Sequence, residues 1–280
     1  MVFIQDLHLR DGRTLRVHDS AADHELDSAF TVLWQHGSPQ TGALLKPLLS
    51  AAAARGIRLL SYGRPGYGGS SGLPGRDVAA AAADVEQLSD ALGIGRFAVM
   101  GASGGGPHAL ACAALLPERV SAVGCLASLA PLDADGFDWF AGMATDGASL
   151  RAAQLGRAER TAYEETVEFD PDSFIEADYN ALAGPWAALG ADVGLASAAG
   201  PDGLIDDDLA FVAPWGFPVA EIDVPGLVVQ GGRDRVVPPS HGDWLSRRLP
   251  RAELWLRPDD GHISVLEACP AVMDWLSARP

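Results

Sequence analysis

Cysteine is scarce: Cys112, Cys125 and Cys269 are the only three in 280 residues. They are too few and too scattered for a disulfide framework or a zinc site, whose ligands cluster at short spacings. Positive charge is also scarce, with 20 Lys and Arg against 37 Asp and Glu, a net −17. A field of that sign repels phosphate backbones and anionic lipid, which argues against general nucleic-acid and membrane-surface binding. Long apolar runs are missing too. The longest uncharged stretch, 97–117, is 21 residues, but Gly101, Gly104, Gly105, Gly106 and Pro107 interrupt it. It reads as a strand, a turn and a helix rather than a membrane span. Residues 1–16 have no secretory apolar core, and with unpaired thiols the expected compartment is the cytoplasm. No Walker A, His-Glu-x-x-His or EF-hand pattern occurs. Gly66-Tyr67-Gly68 runs into a Ser/Gly/Pro loop, not the helix a dinucleotide fold needs. No cofactor and no metal is expected.

What is present is globular: 48 % hydrophobic, 20 % charged, and long enough to bury a core without staples. A hairpin is predicted at 3–9 and 14–18 around the turn dipeptide Asp11-Gly12. Strand patterns follow at 30–34, 57–61, 97–100, 120–126, 226–230 and 253–256. Helical patterns alternate with them at 40–55, 78–92, 107–116, 241–249 and 265–277. This alternation predicts βαβ units: an α/β fold with a mostly parallel eight-stranded sheet, helices on both faces. The uncharged strands fit a sheet covered on both sides.

The alternation stops between Leu132 and Ala213, which reads as a helical cap or lid inserted into a core of residues 1–131 and 214–280. The segment holds 12 Asp, 5 Glu and 3 Arg, a net −14, against −3 for the other 198 residues. The simplest expectation is a solvated acidic face; the alternative is a lid whose field selects neutral or cationic substrates. Its aromatics, Trp139, Phe140, Phe174, Trp186 and Phe211, with Trp215 and Phe217 at its exit, serve either as its own core or as an apolar acyl pocket.

The strongest chemical signal is Gly101-Ala102-Ser103-Gly104-Gly105, placed between an apolar strand and a helix. A chain that reverses from strand to helix so tightly forces Ser103 into a strained conformation and presents its hydroxyl above the sheet edge. Side chains two positions away would clash, so glycine is expected at 101 and 105. The Gly104 N–H then points into the site at a helix N-terminus, where negative charge is favoured.

With His36-Gly37-Ser38-Pro39, Arg64-Pro65-Gly66-Tyr67-Gly68-Gly69-Ser70, Gly231-Gly232-Arg233-Asp234 and Gly261-His262 added, the chain resembles the α/β-hydrolases over nearly its whole length. It is most similar to the cap-bearing bacterial group of esterases, C–C hydrolases and proline iminopeptidases. The resemblance implies a carboxylesterase-like serine hydrolase that cleaves carboxylic ester, thioester or small amide bonds of a small molecule through an acyl-enzyme, as monomer or homodimer. A serine nucleophile needs a histidine base held by an acid. Among seven histidines, His262 lies in the loop where the family carries its base. Asp234, 28 residues earlier after a late strand, matches the acid, with Asp133 as its rival. His241 is expected at the surface, His108 packed, His36 structural, and His8, His18 and His24 far away near the hairpin. Asp259 and Asp260 are expected in a solvated turn, raising the His262 pKa slightly. By the same match, the oxyanion is held by the N–H groups of Ser38 and Gly104. The chain departs from the family at Gly63, where many relatives are acidic. Gly104 and the 36–39 loop depart from the peptidases, which lowers the aminopeptidase alternative. A binding protein that uses the covered pocket without turnover is the other alternative.

Overall fold

The computed structural model describes residues 2–21 and 30–280. His24 lies outside them. Eight strands form one sheet: β1 (Phe3–His8), β2 (Thr14–Asp19), β3 (Thr31–Gln35), β4 (Arg58–Tyr62), β5 (Phe97–Ala102), β6 (Val120–Leu126), β7 (Gly226–Gly231) and β8 (Ala252–Arg257). Their order is β1-β2-β4-β3-β5-β6-β7-β8. β1 and β2 pair antiparallel, β2 pairs antiparallel with β4, and every other neighbour is parallel. The predicted eight-stranded, mostly parallel sheet is therefore present. β3 to β7 are buried at every residue, as strands covered on both faces must be.

The helices that follow the strands divide between the faces. On one face α2 (Ala80–Ala91), α3 (Gly105–Leu115) and α9 (Pro239–Arg248) bury Val85, Leu88, Leu110 and Leu245. On the other α1 (Lys46–Ala53) and α10 (Cys269–Ser277) bury Leu48, Val272, Met273 and Leu276. Two predicted helices begin four or more residues later than their patterns. The one expected from 40 begins at Lys46, because the polar groups of Gln40 and Thr41 are bound elsewhere and Pro47 suits a first turn. The one expected from 265 starts as a 3₁₀ turn and becomes α10 at Cys269, with Pro270 in its first turn.

Between β6 and β7 lie five helices and no strand among the described residues: α4 (Ala148–Gln154), α5 (Arg157–Glu164), α6 (Glu176–Ala183), α7 (Ala187–Ala198) and α8 (Asp202–Val212). The expected solvated acidic face fails at five aspartates. Asp178, Asp192, Asp206, Asp207 and Asp208 are all buried. Asp206, Asp207 and Asp208 each pair with arginine: Asp206 with Arg157, Asp207 with Arg64 and Arg76, Asp208 with Arg160. All three cysteines are free and buried, and burial raises each thiol. No described helix is long and apolar enough to cross a membrane, and no described cluster of His, Cys, Asp or Glu has the makings of a metal site.

Candidate active site

The turn from β5 into α3 explains the glycines around Ser103. Ser103 itself has φ of +53°, a left-handed conformation that costs a side chain energy. Its N–H donates to the Leu126 carbonyl of β6 at 2.9 Å, which pins the turn to the sheet. A Cβ at Gly101 would strike the backbone of Gly105, and one at Gly105 the backbone of Gln35. Both clashes are with main chain, which cannot give way. A Cβ at Gly104 would strike the Ser38 hydroxyl and the Phe211 ring, so residues 38 and 104 sit against each other beside Ser103. Gly104→Ala is accordingly expected to destabilise the fold by about 1–3 kcal/mol, measured by urea denaturation.

Three side chains from separate loops meet here. His262 Nε2 lies 2.9 Å from Ser103 Oγ, and His262 Nδ1 lies 2.8 Å from Asp234 Oδ2. A carboxylate only accepts, so Nδ1 carries the proton and Nε2 is left to accept from the Ser103 hydroxyl. Asp234 is held in turn: its Oδ1 accepts from the N–H of Val236 at 2.8 Å and Val237 at 2.9 Å. Asp133 lies away from this group, on the wall of another cavity with Trp215 and Phe217.

Burial lowers the affinity of His262 for a proton. The charge of Asp234, its hydrogen bond and the charge of Asp178 outweigh burial, and the pKa is raised above 6.5. The second carboxylate acting on the ring is thus Asp178, not Asp259 or Asp260. Asp260 instead pairs with Arg257. Three other histidines are held by hydrogen bonds of their own. His36 donates from Nδ1 to the Gly37 carbonyl at 2.7 Å and accepts at Nε2 from the Arg64 N–H at 3.0 Å. His108 donates to the Gly104 carbonyl at 2.7 Å, and burial takes its pKa down to about 3. His241 is not at the surface as expected. It is fully buried, accepts from the Ala130 N–H at 3.1 Å, donates to the Trp139 carbonyl at 2.9 Å, and burial lowers its pKa to about 4. The sequence conceals this because its partners are over 100 residues away.

Sequence reasoning missed how the helical segment grips the site. Three of its buried carboxylates hold three pieces of it. Asp178 of α6 accepts from the N–H groups of Ile263 and Ser264, both at 2.8 Å, and from that of His262 at 3.3 Å. A Cβ at 261 would strike this carboxylate, which is why Gly261 precedes the histidine. Asp192 of α7 accepts from the Thr41 N–H at 3.1 Å and from its hydroxyl. Neighbouring Gln40 accepts from the Gly37 N–H at 2.6 Å. Asp207 of α8 accepts from the Ser38 hydroxyl, from Arg64 at 2.6 Å and from the Tyr67 hydroxyl at 2.9 Å. Desolvation works against the charge of Asp207, but Arg64 and Arg76 overcome it and hold its pKa well below the usual range. The available signal was a lone acid inside an apolar helix: Asp192 stands among Ala, Gly, Leu and Val with no basic residue in α7.

Two cavities, of about 420 and 470 Å³, meet at Ser38 and Ser103. The aromatics named from sequence divide among different places. Phe174 and Trp186 line the first cavity and Phe211 the second, while Trp139 meets Phe140 and His241 edge to face.

Solved structures of the same shape exist. An enol-lactonase from Burkholderia xenovorans LB400 superposes with a TM-score of 0.76 at 22 % identity, covering 98 % of this chain and 100 % of that one. A thermophilic esterase from Thermogutta terrifontis gives 0.71 at 21 %, covering 99 % and 98 %. A bromoperoxidase from Bacillus anthracis gives 0.73 at 21 %, covering 99 % and 98 %. At such identities the likeness carries the fold and not the reaction. Residues 31–268 match the sequence model of the alpha/beta hydrolase fold. That match takes in β3 through the turn after β8, with every residue discussed at the site, and by it the chain belongs to the alpha/beta hydrolase fold family.

Proposed function

We propose that the protein is a serine hydrolase cleaving carboxylic esters of a small-molecule substrate, with Ser103 as nucleophile, His262 as base and Asp234 as orienting acid. The observation that carries this reading is the unbroken chain Ser103–His262–Asp234, at 2.9 and 2.8 Å, opening on two cavities. Segment 132–213 is its cap, and 1–131 with 214–280 its core.

As Ser103 Oγ bonds to the substrate carbonyl carbon, its proton passes to His262 Nε2 and the carbonyl π pair moves onto oxygen. The Ser38 and Gly104 N–H groups stabilise that oxyanion. The intermediate collapses, the carbon–oxygen bond to the alcohol breaks, and Nε2 gives its proton to the departing oxygen. Water then repeats the sequence on the acyl-enzyme: its proton goes to Nε2, the acid leaves, and Ser103 recovers its hydrogen. Throughout, Asp234 keeps the ring in one tautomer and balances the imidazolium charge. The aminopeptidase alternative would need acids to hold a substrate ammonium, but Asp208 and Glu164 are already engaged by Arg160 at 2.6 and 2.8 Å.

A fluorophosphonate probe tests the reading. Covalent labelling at Ser103, with turnover of p-nitrophenyl esters, is the expected result; tight binding of small molecules without labelling favours a receptor instead. The pH profile supplies a second test. His262 works as a base only when neutral, so kcat/KM falls as pH drops through its pKa. Because that pKa is raised, the acid-side midpoint is expected above 6.5. Asp178→Asn removes one of the charges that raise it and moves the midpoint down.

A further inference from the structure

The two cavities at Ser103 differ in chemistry. The one of about 420 Å³ is walled by Trp34, Ala102, Trp186, Leu189, Val193 and Leu266, and by the His262 ring. The one of about 470 Å³ is walled by Gly104 and by Ser149, Arg160, Tyr163, Glu164 and Asp208. The first is almost wholly apolar and contains the proposed base; the second carries these hydrogen-bonding groups among apolar side chains such as Leu129, Leu150, Leu204 and Phe211.

We infer that the leaving alcohol occupies the apolar cavity and the acyl chain the mixed one, so that the substrate is an ester of a bulky apolar alcohol with a hydroxylated acid. The inference rests on the serine-hydrolase reading and extends it. In the tetrahedral intermediate the carbon carries four groups: Ser103 Oγ, the oxyanion, the acyl carbon and the leaving oxygen. The oxyanion is taken up by Ser38 and Gly104. The leaving oxygen must come within about 3 Å of His262 Nε2, because that nitrogen protonates it. Whatever is attached to the leaving oxygen therefore continues into the cavity that His262 lines. The acyl carbon is directed to the remaining side, past Gly104. Desolvation favours the same assignment: each methylene of the alcohol buried against Trp186 and Leu189 is expected to raise kcat/KM about fourfold. On the acyl side a hydroxyl finds partners in Ser149 and Tyr163. A carboxylate tail does not suit that wall, where Arg160 is already bonded to Asp208 and Glu164.

An isomeric pair of esters separates the two orientations. Cyclohexylmethyl glycolate has its bulk on the alcohol, and 2-hydroxyethyl cyclohexanecarboxylate has the same atoms reversed. After each rate is divided by that of hydroxide-catalysed hydrolysis, the first is expected to have at least a tenfold larger kcat/KM. Gly190→Leu supplies an independent check. Gly190 lines the apolar cavity, and nothing lies within 4 Å of where its Cβ would stand, so the helix accepts the side chain. The variant is expected to cut the preference for cyclohexylmethyl over methyl glycolate at least tenfold. Labelling of Ser103 by the fluorophosphonate together with equal or reversed preference overturns this inference alone. Failure to label overturns the serine reading and this inference with it.

Discussion

Ser103→Ala is expected to lower kcat/KM on p-nitrophenyl butyrate by at least about 10⁴-fold and to abolish fluorophosphonate labelling. The substitution removes one oxygen. It leaves the +53° backbone turn, the glycine contacts and the Ser103 N–H bond to Leu126 in place. Stability therefore changes little, and the loss of rate reports chemistry and not unfolding. The residual rate measures what the proposed oxyanion donors Ser38 and Gly104 achieve alone on water attack. A variant that keeps near-normal turnover would show that the nucleophile is elsewhere. Circular dichroism and the thermal midpoint, unchanged beside the lost activity, complete the measurement.

The parts of the site visible in the sequence are those enforced by short-range geometry. The turn at Ser103 needs glycine at 101 and 105 because main chain passes within contact of both, so steric exclusion writes the motif into five consecutive residues. The alternation of strands and helices is equally local, and the sheet followed from it. Asp234 and His262 stand out as candidates only because strand ends on a parallel sheet share one edge, and their roles come from the resemblance. What stayed hidden is long-range. Asp178, Asp192 and Asp207 reach partners 86, 151 and 169 residues away. Composition counts them among surplus negative charge, although all three are buried and hydrogen-bonded. His241 escapes a local reading for the same reason: its place after Pro239 and Ser240 suggests an exposed helix start, and only its packing against Trp139 shows otherwise. The start of α1 at Lys46 likewise depends on Asp192 holding Thr41, which no local propensity reveals.

Asp207→Ala is expected to cause the largest loss of stability of any substitution considered, about 3–5 kcal/mol. The carboxylate is wholly inaccessible, and the guanidinium side chains of Arg64 and Arg76, its partners at 2.6 and 2.9 Å, are only 1 % and 2 % exposed. Removing it strands two cations away from water. Relaxation is blocked because Arg64 also bonds the His36 carbonyl and the Ser38 hydroxyl, and Arg76 lies under the carbonyls of Pro65 and Gly203. The damage should be read in two ways. Urea denaturation should show the fall in stability, with a thermal midpoint lower by roughly 5–15 °C. Kinetics at a temperature where the variant is folded should show a fall in kcat larger than any change in KM, because the loop carrying the proposed oxyanion donor Ser38 loses its bond to Asp207. Ser38→Ala separates the two effects: it removes the hydroxyl bond to Asp207 but leaves the ion pairs, so it should lower kcat while the midpoint hardly moves. If Asp207→Ala proves as stable as the parent, the buried cluster is not what fastens α8 to the core. If it unfolds easily yet keeps full kcat when folded, the segment only covers the site and does not position it.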